Sequence, residues 1–270
     1  MTTDFFKVQK VQHPIIPRLL TVKQITELSP AMRRITFTGD NLAGFLSASF
    51  DDHVKLMMPE AQAEKPNIPV VGPKGLEFDE SKPKPVMRDY TPRRYDPVSN
   101  ELDIDFVLHH EGPATEWATH AEVGHFLGIA GPRGSFVIPM VFDWHLLIGD
   151  ETAMPAIGRR LEELPKEAKA IVLIKTMTED AKIKLSGQCQ FEVQWVTGAD
   201  SAGTGTGILE AAVRNITLPE GEGYVWAAGE YNDIKAVRQC LVNEKGIDKS
   251  RIRAASYWRK AVANTHENFD

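Results

Sequence analysis

The local pattern of the sequence changes near Asp150, and this change constrains the fold more than any other feature. Before it, short β-rich runs such as 34–38 and 53–58 alternate with turns, which is typical of a small antiparallel barrel. After it, buried apolar runs such as 144–149 are each followed by a helical segment, which is typical of a parallel sheet covered on both faces. We therefore predict an N-terminal antiparallel β-barrel over residues 1–140 and a C-terminal α/β domain with a parallel sheet over residues 141–270.

Two details of the first half matter for its surface. In the run 102–109, Leu, Ile, Phe and Leu alternate with Asp, Asp, Val and His, which predicts a half-buried strand. The stretch 59–85 is rich in Pro, Lys and Glu, which predicts a long surface loop.

Composition limits the classes of function. The net charge is −6, so the bulk charge gives no reason to expect nucleic-acid binding, and an anionic ligand would need a local basic patch. No signal peptide follows Met1 and no apolar run is long enough to cross a bilayer, so we expect a cytoplasmic protein. The two cysteines, Cys189 and Cys240, form no CxxC motif, which argues against a disulfide framework or an iron–sulfur cluster.

The most informative segment of the first half is 88–94, with the sequence RDYTPRR. Alternate side chains of a strand share a face, so Arg88 and Tyr90 point the same way. An arginine can bind a pyrophosphate through its fork of donors, a tyrosine can lie against a conjugated ring, and Thr91 can donate to a ring nitrogen. The alternative is a charged edge strand with an incidental tyrosine.

A second segment, 109–118, follows a strand and opens a helix. Gly112 permits a tight turn, and the helix start offers free N–H groups to a phosphate. His109 and His110 would point to opposite faces of a strand and have no third ligand nearby, so we predict no metal site. A third segment, 131–136, is a turn that exposes Arg133.

Together these segments resemble the siderophore-interacting protein family, the flavin-dependent ferric-siderophore reductases of the ferredoxin reductase-like superfamily. The resemblance runs from about residue 20 to about residue 266, and it implies that the β-barrel binds FAD while the α/β domain is of the NAD(P)H-binding type. By resemblance we expect the following residues to hold FAD: Arg88, Tyr90, Thr91, Val107, His109, Gly112, Pro113 and Ala114. No side chain is expected to act as a catalytic acid or base.

In the second half, the turn Gly149, Asp150, Glu151, Thr152 and Ala153 lies between a buried strand and a helix. Such a turn can accept a dinucleotide or its phosphates, but it lacks GxGxxG and its acidic pair is unusual for a phosphate site. By resemblance, this turn faces the nicotinamide side of the flavin, and we place Glu230 with it. The glycine-rich run 202–207 has the wrong spacing for a dinucleotide fingerprint, so we interpret it as a loop.

The segment 257–260, YWRK, lies beside the flavin cavity in the family that the chain resembles. We expect Lys55, Arg133, Arg259 and Lys260 to form a basic patch that attracts a negatively charged ferric siderophore. NADH, NADPH or reduced ferredoxin would supply electrons to FAD, which would pass them to Fe(III). Two alternatives are a ferredoxin- or flavodoxin-NADP reductase and a non-enzymatic ferric-siderophore carrier.

Overall fold

The computed structural model describes residues 5–73, 75–108, 112–198, 207–260 and 267–269. Within them the chain forms two units: a front unit, Val8–Ile138, and a back unit that begins at Pro139 and also takes in the residues before Val8.

The front unit is built on an antiparallel sheet of seven strands that forms a half-barrel. In spatial order the strands are β7 (Val86–Tyr90), β4 (Val54–Met58), β10 (Phe126–Ala130), β2 (Pro17–Ser29), β3 (Met32–Thr38), β9 (Glu101–Val107) and β8 (Arg94–Asp96). One helix, α1 (Pro113–Thr119), follows β9 and buries Trp117 against the sheet core. The expectation of an antiparallel barrel-type domain is confirmed, and β7 and β8 are the edges of its sheet.

Two small sheets complete this unit. β1 (Gln9–Gln12) pairs with β11 (Gly134–Val137), and β5 (Val70–Gly72) pairs with β6 (Gly75–Glu77). The stretch predicted as a surface loop therefore contains a short hairpin. The Asn67 amide holds part of this stretch closed by donating to the carbonyl of Asp79 at 2.9 Å.

Strand β9 differs from its prediction, because both of its faces are covered. Asp103 and Asp105 are each 3% exposed, although the alternating pattern predicted a half-buried strand. Arg34 binds both carboxylate oxygens of Asp105, at 2.7 and 2.9 Å, and Arg94 binds Asp103 at 2.7 Å. Arginine side chains from neighbouring strands thus neutralise the acids and close the second face of the strand.

The back unit has five parallel strands and one antiparallel edge strand. In spatial order they are β14 (Gln190–Thr197), β13 (Lys169–Thr176), β12 (Trp144–Asp150), β15 (Gly223–Glu230), β16 (Ile252–Trp258) and β17 (Glu267–Asn268). The helices are α2 (Met154–Glu163), α3 (Ile208–Asn215) and α4 (Tyr231–Asn243). Every residue of β12 is buried, as expected for a strand covered on both faces. The prediction of a parallel α/β domain is confirmed.

The order of the parallel strands reverses between β12 and β15, which are the first and fourth of the five along the chain. In open α/β sheets, ligands bind beyond the carboxyl ends of the strands at this reversal. Residues 149–153 and Glu230 lie at these carboxyl ends. The fold therefore brings all the residues predicted for the nicotinamide side to one edge of the sheet.

A short segment before β1 packs on the back unit. The ring of Phe6 lies 5.1 Å from that of Phe142, and the guanidinium of Arg251 lies over the Phe6 ring at 4.6 Å. These contacts explain why residues 5–7 group with Pro139 and the residues after it. Among the helices of the described ranges, none combines the length and the apolar character needed to cross a membrane.

Candidate functional site

Among the arginines of the front unit, Arg88 has the surroundings that most clearly indicate a ligand-binding role. Its side chain is half-buried, and its Nη1 donates to the carbonyl of Met87 at 2.8 Å. Within the described residues, no carboxylate lies at ion-pair distance from it, whereas Arg34 pairs with Asp105 and Arg94 with three carboxylates. A half-buried cation without a carboxylate is suited to an anionic ligand, and a pyrophosphate matches its fork of donors.

The two residues predicted to accompany Arg88 lie close to it on β7 and just beyond its end. Tyr90 packs on the sheet core, with its ring 4.7 Å from that of Phe106, and burial raises the pKa of its hydroxyl above the ordinary value. Thr91 is 6% exposed. Burial of the phenol favours its neutral form, which suits contact with an uncharged ring system.

Gly112 starts α1 with a φ of 152°, a conformation that favours glycine. No heavy atom lies within 4 Å of the position that a Cβ would occupy. Pro113 is the first residue of α1 and Ala114 is buried, and the Thr115 hydroxyl donates to the carbonyl of Val107 at 3.1 Å. This bond fixes the helix start at the end of β9, beside open space. His109 lies outside the described residues.

These residues fit an FAD site on their chemistry. Arg88 could supply the pyrophosphate with a cation that no carboxylate of the described residues balances, Tyr90 an aromatic face, and Gly112 an open backbone approach. The residues of the predicted set that the structure describes all belong to the front unit. Their contact with FAD remains a prediction.

The residues predicted to bind the substrate have different surroundings. The Lys55 ammonium is paired with Asp89 at 2.8 Å, so part of its charge is balanced. Arg133 is exposed in the turn before β11, and Lys260 is exposed after β16. Arg259 is also exposed, and its guanidinium lies 4.5 Å from the centre of the Tyr231 ring. Arg259 and Lys260 thus follow each other on one segment of the back unit.

At the carboxyl end of β12, Asp150 is 4% exposed and accepts four hydrogen bonds. Its Oδ1 accepts from the Thr152 amide at 2.9 Å and from the Thr152 hydroxyl at 2.5 Å. Its Oδ2 accepts from the Glu230 amide at 2.9 Å and from the Trp258 indole at 2.8 Å. Gly229 permits this approach, because a Cβ there would lie 2.7 Å from Asp150 Oδ2.

Two further carboxylates bind backbone amides at the same edge. Glu151, which is 3% exposed, accepts from the Met177 amide at 2.5 Å, just after β13. Burial, reinforced by the charge of Asp150, raises the pKa of Glu151 to about 7. Glu230 accepts from the amides of Asn232 and Asp233 at the start of α4, at 2.6 and 3.2 Å. We call Asp150, Glu151 and Glu230 the crossover carboxylates.

Sequence reasoning missed the partners of these groups. It did not identify the pairing of Arg34 with Asp105, the role of the Trp258 indole, or the capping of α4 by Glu230. One signal was available for the last: a carboxylate immediately before a helix is favoured by the free N–H groups of its first turn.

Comparison with known proteins places the chain in a family. A model described as "Siderophore-interacting FAD-binding domain" matches residues 21–136, and one described as "Siderophore-interacting protein" matches residues 142–261. The "NADPH-dependent ferric-chelate reductase" of Escherichia coli (strain K12) is 35% identical over 93% of this chain and 96% of that protein.

Solved structures agree with this assignment. The crystal structure of a siderophore utilization protein from T. fusca superposes with a TM-score of 0.85 at 33% identity, covering 96% of this chain and 98% of that one. The ferredoxin reductase in carbazole 1,9a-dioxygenase, at 19% identity and a TM-score of 0.63, covers 89% of this chain and 69% of its own, and shows the shared ferredoxin reductase-like fold. The chain belongs to the siderophore-interacting protein family, with its FAD-binding domain in the front unit.

Proposed function

We propose that this chain reduces Fe(III) bound to a siderophore, so that iron is released as Fe(II). The observation that carries this proposal is the half-buried Arg88, which has no carboxylate partner among the described residues and stands two positions before Tyr90 in a siderophore-interacting FAD-binding domain. The relative from E. coli is named as a ferric-chelate reductase, which supports the same reaction class here.

The side chains of the front unit bind and orient the flavin in this proposal. Arg88 holds the pyrophosphate, Tyr90 lies against the ring system, Thr91 donates to it, and the backbone from Gly112 to Ala114 receives the phosphates. When bound, FAD accepts electrons from a reduced nicotinamide or ferredoxin and delivers them one at a time to Fe(III). Fe(II) is a weaker Lewis acid than Fe(III), so its oxygen ligands release it more readily.

The basic residues attract the substrate. Lys260 and Arg259 in the back unit, and Arg133 in the front unit, are exposed cations that a negatively charged ferric chelate would meet. The charge of Lys55 is partly balanced by Asp89, so we assign it a smaller share of the attraction.

The test is anaerobic photoreduction of the flavin bound to the purified protein, followed by addition of a ferric hydroxamate or a ferric catecholate siderophore. We expect the flavin to be reoxidised. A colorimetric chelator should capture Fe(II) in an amount that matches the electrons held by the reduced flavin. A flavin that stays reduced with both classes of chelate would contradict the proposal. A protein that neither contains nor takes up FAD, yet binds the chelate, would identify a carrier instead.

A further inference from the structure

Tyr231, the first residue of α4, is contacted by two cationic side chains, one from its own helix and one from the segment after β16. The guanidinium of Arg259 lies 4.5 Å from the centre of the Tyr231 ring, and the ammonium of Lys235 lies 5.9 Å from the same centre. At these distances the face of an aromatic ring attracts a cation. One ring therefore brings two positive charges to the same place.

The local structure explains this convergence. Lys235 follows Tyr231 by four residues on α4, so the two side chains share one face of the helix. Arg259 follows β16, which pairs with β15, and β15 leads directly into α4. Phe269, just after β17, packs against the half-buried Tyr231 with its ring centre at 5.2 Å. The position of the Tyr231 ring is therefore supported by a third segment of the back unit.

Two other cation–ring contacts of the back unit include a carboxylate. Arg251, which lies over an aromatic ring at 4.6 Å, pairs with Glu222 at 3.1 Å. Lys182, which lies over the Trp195 ring at 6.0 Å, pairs with Glu179 at 2.5 Å. In both cases an acid of the chain balances the charge of the cation, so these contacts are explained by the fold alone.

The cations on Tyr231 have different surroundings. Within the described residues, no carboxylate lies at ion-pair distance from Arg259 or Lys235, and both side chains are exposed. The acid next to Tyr231, the crossover carboxylate Glu230, is directed to backbone amides at the start of α4 and to that of Lys260. A ring attracts a cation through its face and leaves N–H donors available to another ligand. The two cations are thus placed to bind an anion together.

We propose that Tyr231 positions Arg259 and Lys235 as one anion-binding pair, and that Lys235 is a further residue that binds the ferric siderophore. This inference rests on the proposed function, since it concerns the ligand of that reaction. The pair also implies a preference among chelates. Each catecholate group brings two negative charges to Fe(III) and each hydroxamate group brings one, so the iron centre of a tris-catecholate is strongly negative and that of a tris-hydroxamate is neutral. Two cations favour the former.

The test measures the binding of a ferric tris-catecholate and a ferric tris-hydroxamate siderophore to the FAD-loaded, oxidised protein. Isothermal titration calorimetry gives both dissociation constants without turnover. In Lys235→Gln we expect the dissociation constant of the tris-catecholate to rise by at least about threefold, as for loss of an exposed charge pair, and that of the tris-hydroxamate to change by less than about twofold. Unchanged affinity for the tris-catecholate, or equal losses for the two chelates, would overturn the proposal.

Lys182→Gln is the matched control. Lys182 is also a lysine over an aromatic ring of the back unit, but Glu179 already balances its charge. We expect this variant to bind both chelates as the unaltered protein does. A loss equal to that of Lys235→Gln would show an effect of net charge alone and would overturn the proposal.

Two changes at Tyr231 test its positioning role. Tyr231→Phe keeps the ring, so we expect its affinity for the tris-catecholate to match that of the unaltered protein. Tyr231→Leu removes the ring, so we expect a lower affinity, and a smaller further loss from Lys235→Gln in this background than in the unaltered protein. A full further loss would show that the cations act independently of the ring, and would overturn the positioning role. Because Lys235 is exposed, Lys235→Gln tests the pair even if Tyr231→Leu does not fold.

The phosphates of a nicotinamide donor are the other anions that this pair could meet. If Lys235→Gln loses affinity for ADP-ribose but keeps its affinity for the tris-catecholate, the pair serves the donor and the proposal is overturned. Failure of this inference is distinguishable from failure of the proposed function, because photoreduction followed by addition of the chelate measures electron transfer to Fe(III). Normal reoxidation of the flavin, with unchanged chelate binding in Lys235→Gln, would overturn only the inference about the pair.

Discussion

The two units use buried carboxylates in opposite ways. In the front unit, Asp103 and Asp105 are matched by arginines, and Arg88 is left without a carboxylate among the described residues. In the back unit, Asp150 and Glu230 are matched by N–H groups, among them the amides of Thr152 and Asn232. The same kind of buried acid is therefore balanced by arginine side chains in one unit and by N–H donors in the other.

The comparison is tested most strongly by Asp105→Asn. This change leaves Arg34 and the buried Arg93 without their shared carboxylate, and loss of one partner of a buried pair costs about 3–5 kcal/mol. We expect a loss near the lower end of that range, because the Arg34 side chain is 25% exposed. Urea denaturation measures it.

Glu27→Gln is the control for this change, since Glu27 pairs with Arg33 but its side chain is 55% exposed. An exposed pair contributes about 0–1 kcal/mol. Equal losses of stability in the two variants would show that arginine pairing is not what supports β9.

A second prediction concerns the pH dependence of the back unit. His145 is 1% exposed, and burial, with the charge of Arg160, lowers its pKa from 6.5 to about 3. Unfolding then takes up a proton below pH 6.5, so this group makes stability rise with pH up to that point. Glu151, whose pKa is raised from 4.5 to about 7, holds its proton in the folded state and makes stability fall as pH rises through that range.

Between pH 4.5 and 6.5 both groups affect the free energy of unfolding, and their effects have opposite signs. Each group changes the free energy of unfolding by at most about 1.4 kcal/mol per pH unit. Across this range, each group alone therefore contributes at most about 3 kcal/mol. We expect the free energy of unfolding of His145→Phe to fall with pH there, and that of Glu151→Gln to rise. Urea denaturation at several pH values measures both, and identical slopes in the two variants would contradict the assigned pKa directions.

Arg88→Ala tests the front unit, where we expect Arg88 to bind FAD. A hydrogen bond to a charged group contributes about 1.5–3 kcal/mol, so we expect FAD affinity to fall roughly tenfold to a hundredfold. Titration of the apoprotein with FAD, followed by flavin fluorescence, measures the change. Arg259→Ala is the comparison, because Arg259 stacks on Tyr231 in the back unit, and equal losses would remove the special role of Arg88.

The smallest effects are expected at the exposed cations. Lys260→Ala should weaken ferric-siderophore binding severalfold, and Lys55→Ala should weaken it less, since Lys55 is already paired with Asp89. Binding should also weaken with salt, because the Debye length falls from about 10 Å at 0.1 M to about 3 Å at 1 M. Titrations of both single variants and of the double variant at low and high salt test this, with the flavin spectrum unchanged. A double variant that matches the unaltered protein would place the substrate elsewhere.

The sequence was sufficient for the fold because its periodicity is local. The buried run of β12 and the helix after it can be recognised within about twenty residues, and so can the antiparallel runs of the front unit. The resemblance to the siderophore-interacting proteins identified the family from short motifs around Arg88, Gly112 and Gly131. These features depend on neighbours along the chain.

The partners of buried charges could not be predicted in the same way. Asp150 accepts bonds from Glu230 and Trp258, which are 80 and 108 positions away. Arg34 reaches Asp105 from 71 positions away. The alternating pattern of β9 predicts that its aspartates face solvent. The sequence alone does not show that arginines of the adjacent strands cover them. Such pairings depend on strand register, which a single sequence does not reveal.

The packing of Phe6 has a consequence for the order in which the protein is made. Phe6 leaves the ribosome before any of the front unit, but its partners Phe142 and Arg251 come more than a hundred residues later. All strands of the front unit that the structure describes have been synthesised by Val137. This unit can therefore fold first, before Phe142 and Arg251 are available to Phe6. The back unit is therefore completed by a segment that precedes the front unit along the chain, and replacement of Phe6 would be felt in the unit that is synthesised later.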